Sequence, residues 1–157
     1  TITRIVDGLT QPRLSGFYTG EIREHGNRRG FEAIGLHGSS VVLAHVDFSG
    51  SQRVGRYGVD VAGFERLIET ELSGTSADVD VFVIDEIGKM ECLSHIFIEQ
   101  TKRVLASTVP VLATIAAKGG GFISDVKKRD DVELVRVTTA NRDELPDRIA
   151  QRLREGR

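Results

Sequence analysis

The stretch Val79 to Glu91, Val-Asp-Val-Phe-Val-Ile-Asp-Glu-Ile-Gly-Lys-Met-Glu, constrains the fold more than any other part of the sequence. Val81 to Ile84 are apolar at four successive positions, each β-branched or aromatic. A strand with one wet face alternates, so an unbroken run of this kind belongs between two helical layers in a parallel sheet. It is expected to be the central strand. Open α/β sheets bind their ligands at the carboxyl ends of strands, and this strand ends in Asp85 and Glu86, with Gly88 just beyond. Successive strand residues point to opposite faces, so the two acids are expected to enter different surroundings and take different roles. In phosphoryl-transfer sites on such sheets, the first acid holds Mg²⁺, usually through water, and a nearby acid orients the attacking water. This assigns the metal to Asp85 and the catalytic water to Glu86. Strand ends are also acidic for solvation alone, so the pattern by itself is unspecific.

The chain around this strand alternates strand and helix. Ile2, Ile5, Val6 and Leu9 fall on one helical stripe, with Pro12 in the loop beyond. Gly16–Arg23, Phe31–Leu36 and Val41–Val46 read as strands of a small antiparallel meander, turning at Gly26-Asn27 and at Gly38. Residues 49–58 are polar and glycine-rich and read as a mobile surface loop carrying Arg53 and Arg56. Helical spacing returns at Val61–Leu72, and Ser94 is placed to cap a helix bearing Phe97, Thr101, Val104 and Leu105. Val109–Ile115 is a second continuous apolar strand, 116–121 a loop, Phe122–Lys128 a short helix and Glu133–Val137 a further strand. Leu145, Ile149 and Leu153 mark a last helix, with Asn141 and Glu144 spaced as in a capping box. From residue 61 onward this order implies right-handed βαβ crossovers.

The chain's 157 residues suffice for one ordinary core, so a single domain is expected. A net charge of −2 gives no electrostatic case for nucleic acid or an anionic membrane, and no apolar run reaches the length of a membrane span. With one cysteine, Cys92, the chain reads as cytoplasmic, without a disulfide framework. His25, His37, His45 and His95 form no zinc-ligand spacing with Cys92. Met90 reads as core packing and Lys127–Arg129 as a solvated helix end, while Lys89 and Glu91 are candidates for ordering the site.

Five segments occur in one order: Gly16-Phe17-Tyr18-Thr19-Gly20-Glu21-Ile22-Arg23, Arg29-Gly30-Phe31, Val54-Gly55-Arg56-Tyr57-Gly58-Val59, Ile84-Asp85-Glu86-Ile87-Gly88-Lys89-Met90-Glu91 and Asn141-Arg142-Asp143. That order resembles the THEP-type P-loop nucleoside-triphosphatases, related to the cancer-related nucleoside-triphosphatase, over nearly the whole chain. The resemblance implies an α/β fold, a RecA-like parallel sheet flanked by helices, with the meander at 16–46 as an antiparallel insert. It implies hydrolysis of ATP, GTP, CTP and other nucleoside triphosphates to diphosphate and phosphate with Mg²⁺. It places Asp85 and Glu86 in the family's Walker B pair and nucleotide contacts at Ile84, Asp85, Glu86, Gly88 and Lys89. Glu21 and Arg23 match a Glu-x-Arg facing the phosphates, and Asn141 and Arg142 an Asn-Arg pair near the nucleotide.

The family's Walker A loop, G-x-x-x-x-G-K-[S/T], does not occur in these 157 residues. Such a loop is a nest of N–H groups at a helix N-terminus that holds phosphates. The resemblance puts it just before Thr1, and the expectation is that the natural protein continues upstream with a first strand and this loop. Lys118-Gly119-Gly120-Gly121 has the glycines but no following Lys-Ser/Thr pair, and reads as a flexible loop. Arg53 and Arg56 are candidates for an arginine finger. The alternative reading is a nucleotide-binding or regulatory module that does not turn over. A monomer is slightly favoured, with nucleoside triphosphates as the only partners expected.

Overall fold

The computed structural model describes residues 2–9 and 12–155; Thr1, which the resemblance is expected to put just beyond the Walker A loop, lies outside them. The run Val81–Ile84 behaves as its composition requires. It forms the core of β6 (Val81–Ile87), and all four residues are buried. Val81 and Val83 pack with Ile2 and Ile5 of α1 (Ile2–Asp7), with Leu112, and with Ala150 of α5 (Leu145–Glu155). Phe82 and Ile84 join the opposite layer, with Phe64 and Ile68 of α2 (Val61–Glu71) and Phe97 and Val104 of α3 (His95–Ala106). One strand thus feeds two cores, giving three layers with the sheet in the middle.

The sheet is a single seven-stranded one. It also contains β1 (Leu14–Glu24), β2 (Asn27–Gly35), β3 (Ser40–His45), β4 (Arg53–Val54), β5 (Tyr57–Val59) and β7 (Val111–Ile115), in the order β4-β5-β3-β2-β1-β6-β7. Only β1, β6 and β7 run parallel; every other pairing is antiparallel. This corrects two expectations. Among the described residues β6 lies next to the edge strand β7 and is not central. The meander is no separate insert, because β1 starts at Leu14 and belongs to both halves. Leu14–Phe17 pair in parallel with Val81–Ile84, and from Phe17 onward the same strand pairs antiparallel with β2. Gly16 lies where they meet, with φ +121° and its Cα against the backbone of Val83. Ser15 and Gly16 interrupt the apolar pattern there, which is why the strand's start is hidden in the sequence.

Helix starts follow local chemistry. The Ser94 hydroxyl accepts from the Phe97 N–H at 2.9 Å, as the sequence predicts, and Asp60 does the same for the Gly63 N–H at 2.9 Å. Asn141 departs from expectation. Its side chain accepts from the Thr138 N–H and donates to the Arg136 carbonyl, both at 2.8 Å, so it folds the preceding turn and makes no capping box.

Two segments differ outright. Residues 49–58 are not a free loop, because β4 and β5 form a hairpin pinned by Arg53, whose guanidinium donates to the Phe48 and Arg56 carbonyls at 2.8 Å each. Glu133–Val137 is no strand. Its β-branched residues suit one, but a strand needs a partner, and among the described residues none lies alongside; Leu134, Val135 and Val137 stand exposed. The short helix is found as α4 (Phe122–Lys127). Among the described residues no helix is long and apolar enough to cross a membrane.

Candidate active site

The carboxyl ends of β6 and β7 carry the acidic group, and the pleat alone does not arrange it. Ile84 pairs with Ala113 but Ile87 pairs with Ile115, so β6 holds one residue more than β7 at Asp85-Glu86. The extra residue makes a bulge, a device that re-aims side chains next to functional sites; the peptide bond between the two acids is cis. Asp85 and Glu86 do enter different surroundings. Asp85 accepts a 2.5 Å hydrogen bond from the Thr114 hydroxyl of β7. Glu86 lines a cavity of about 250 Å³ whose wall is largely apolar, with Phe31, Leu43, Val54 and Met90.

Glu91 completes the cluster. It opens a 3-10 turn, Glu91–Leu93, and is only 4% exposed. Gly88 explains how the two glutamates fit. A Cβ at residue 88 would lie 2.6 Å from Glu86 Oε1 and 2.8 Å from Glu91 Oε2, so both carboxylates occupy the space a side chain would take. Burial raises the pKa of Glu86, and the charge of Asp85 adds to it. Burial pushes Glu91 up to about 7, the charges of Glu86 and Asp85 contributing in the same direction and the backbone N–H groups of Glu91 and Gly88 opposing. Cys92 is pushed up to about 11, first by burial and then by Glu91, which leaves it an inert thiol.

The other candidates are dispersed. Lys89 lines the Glu86 cavity, and Lys118 lines it too. Glu21 is bound by Arg23 at 2.6 Å and also by Arg28, and these contacts hold its carboxyl below the ordinary range. Arg56 donates to the Arg28 carbonyl at 2.7 Å and to Tyr57 at 3.1 Å, and Arg53 donates within the hairpin, so both exposed guanidiniums are anchored there in this arrangement. Asn141 lines a different cavity, of about 280 Å³, with Arg136, Arg148 and Arg152, while Arg142 beside it is exposed. Thr114 went unnoticed in the sequence; its signal was a hydroxyl one residue before the end of the apolar strand neighbouring β6. The position of Lys118 depends on tertiary pairing and left no such signal.

Among the described residues no three His, Cys, Asp or Glu side chains are grouped to hold a metal. A protein-only cage for Ca²⁺ or Zn²⁺ is therefore missing there. Mg²⁺ makes a different demand, since it is commonly held by one or two carboxylates plus substrate phosphates and water. Asp85, with one oxygen fixed by Thr114 and the other not so engaged, fits that demand.

The sequence pattern of the NTPase family matches residues 1–150. The chain belongs to the THEP1 nucleoside-triphosphatase family. It is 42% identical over 146 residues to the nucleoside-triphosphatase THEP1 of Natranaerobius thermophilus, covering 90% of this chain and 81% of that one. A mouse relative, the cancer-related nucleoside-triphosphatase homolog, is 36% identical over 154 residues, with 87% and 80% covered. The crystal structure of THEP1 from Aquifex aeolicus superposes with a TM-score of 0.87 at 30% identity, covering 97% of this chain and 90% of that one. The solution structure of a human cancer-related nucleoside triphosphatase gives 0.81 at 32% identity, with 99% and 92% covered. The THEP1 fold therefore includes the mixed sheet described above, and nucleoside-triphosphate hydrolysis is the activity for which these relatives are named.

Proposed function

We propose that this chain carries the hydrolytic edge of a Mg²⁺-dependent nucleoside-triphosphatase that accepts ATP, GTP and CTP alike. The observation that supports it most is the separation of Asp85 from Glu86, the first fixed by Thr114 and the second set in a largely apolar cavity. Asp85 would hold the metal, which when bound neutralises charge on the β- and γ-phosphates. Glu86 orients a water and takes its proton as the water oxygen bonds to the γ-phosphorus. The bond to the β,γ-bridging oxygen breaks, and the diphosphate leaves with that oxygen. The raised pKa of Glu86 makes it a stronger base than a solvated carboxylate. On this reading the site works in the cytoplasm on free nucleotides. The broad base tolerance follows from a site that grips phosphate, with Asn141 and Arg142 near the nucleotide.

The test is phosphate release from ATP, GTP and CTP with Mg²⁺, using the 157-residue chain beside the same chain extended to its natural start. Turnover of all three by the extended chain is expected. In that protein Glu86→Gln should keep nucleotide affinity within about threefold and lower kcat by about 10²-fold or more. Unchanged turnover removes Glu86 from the mechanism. Nucleotide binding without turnover in either form would establish the non-hydrolysing module instead.

A further inference from the structure

An arriving triphosphate meets a charge problem at this site. Asp85, Glu86 and Glu91 are all acids, and the apolar wall of the cavity lowers the local dielectric, so repulsion there is stronger than in water. A bound metal can answer for Asp85 but not for the whole cluster. Some cation of the chain has to face the terminal phosphate from the Glu86 side.

The arginines of the meander are committed elsewhere. Arg23 and Arg28 hold Glu21, Arg29 pairs with Glu24 at 3.3 Å and Asp47 at 2.9 Å, and Arg53 and Arg56 serve backbone carbonyls. Two lysines remain, Lys89 and Lys118. Both line the cavity with Glu86, and neither forms an ion pair with a described residue. Their backbones differ. Lys89 sits in a tight turn closed by the Cys92 N–H on the Gly88 carbonyl at 3.0 Å, between Glu86 and Glu91 in the sequence. Lys118 lines the same cavity, next to a backbone stretch held by Lys127 and before a run of three glycines. On its near side Lys127 of α4 donates to the carbonyls of Ala116 at 2.6 Å and Ala117 at 2.9 Å. On its far side come Gly119, Gly120 and Gly121, with φ of +153° at the first and +55° at the last, and open space around Gly120 and Gly121. Three glycines in succession give the backbone more freedom than any other sequence would.

We propose that Lys118 is a catalytic cation of this site, carried on the 118–121 glycine segment to the γ-phosphate of a nucleoside triphosphate held in front of Glu86. This rests on the hydrolytic reading above. Lys118 makes no bond and transfers no proton. Its ammonium stabilises the negative charge on the non-bridging oxygens as the water adds and the diphosphate leaves. Ala116 and Ala117 are held so that the lysine starts from a defined place. The apolar wall enlarges its effect, because a positive charge in a partly desolvated site is worth more than in water.

The experiment uses the full natural protein and first measures ATP hydrolysis by the parent. Lys118→Ala should lower kcat by about 10²-fold while KM changes less than about threefold. Lys118→Arg, which keeps the charge, should recover at least a tenth of the parental kcat, and Lys128→Ala, an exposed lysine at the end of α4, should match the parent. Binding provides a second readout. Lys118→Ala should bind ADP like the parent but bind ADP with aluminium fluoride, a mimic of the transferring phosphoryl group, at least tenfold more weakly. A parent that hydrolyses ATP beside a Lys118→Ala variant within twofold of it in kcat overturns the role of Lys118 and leaves the hydrolytic reading intact. A rise in KM with unchanged kcat also overturns it, since the lysine would then hold ground state and transition state equally. A parent that hydrolyses nothing overturns both.

Discussion

Glu91→Gln offers a direct test of the electrostatics of the acidic cluster. Glu91 is 4% exposed, and its carboxyl is held at about 7 against an ordinary value of 4.5. The folded state therefore keeps the proton over a range where the unfolded chain has lost it. Stability is fully present below about pH 4.5 and is lost as pH rises from there through about 7. Each pH unit of that interval is worth about 1.4 kcal/mol, so the ionised carboxylate costs about 3 kcal/mol at pH 8.5. Glutamine has the shape of the protonated acid and carries no charge at any pH. The variant should match the parent within about 0.5 kcal/mol at pH 4.5 and exceed it by about 2–3 kcal/mol at pH 8.5, allowing for relaxation around the carboxylate. Urea denaturation of both proteins at pH 4.5, 6, 7 and 8.5 measures this. With a slope of about 2 kcal/mol per M, the midpoints should coincide at the acid end and separate by about 1 M or more at the alkaline end. A difference that stays flat across these four pH values, or a variant less stable than the parent at pH 8.5, would refute the reasoning. Either would mean that Glu91 is ionised in the fold and compensated.

Gly16→Ala should be among the most damaging substitutions in the chain, because its Cβ would sit 1.9 Å from the Val83 carbonyl oxygen at a φ of +121°. A loss of about 4 kcal/mol or more is expected in a denaturant titration, or failure to recover folded protein; a loss under about 1 kcal/mol would show that β1 does not meet β6 there. Glu71, fully buried at the end of α2, accepts from the N–H of Gly16 at 3.4 Å and of His37 at 3.1 Å, and meets His37 Nδ1 at 2.8 Å. Glu71→Gln turns an amide N–H₂ toward these donors and should cost about 1–3 kcal/mol by the same titration.

The sequence was informative where a residue's neighbours along the chain decide its structure. The two-faced burial of Val81–Ile84 and the Ser94 cap are set by composition or by contacts a few residues away. It was misleading where pairing decides. Leu134, Val135 and Val137 have strand chemistry without a strand beside them, and Arg53 turned a polar, glycine-rich stretch into a hairpin by reaching carbonyls three and five residues away. At the site, Asp85 and Glu86 were legible as a strand-end pair, but the bulge that separates them needs the register against β7. Thr114 reaches Asp85 across 29 residues of sequence, and no periodicity carries that information.

The continuity of the sheet has a consequence for how the site holds its shape. The parallel half supplies the carboxylates at the end of β6, while the antiparallel half supplies the apolar wall opposite them, with Phe31 from β2, Leu43 from β3 and Val54 from β4. One strand, β1, joins the halves, and its register against Val81–Ile84 fixes where Thr19 and the rest of the meander fall relative to Glu86. A separate insert could drift without altering the cavity. A shared strand cannot, since slipping it by one residue would send Phe17 from the α2–α3 core to the other face. The burial of Phe17 among Phe64 and Phe97, at ring-centroid distances of 5.3 and 6.1 Å, therefore holds the Glu86 cavity in register as well as stabilising the core.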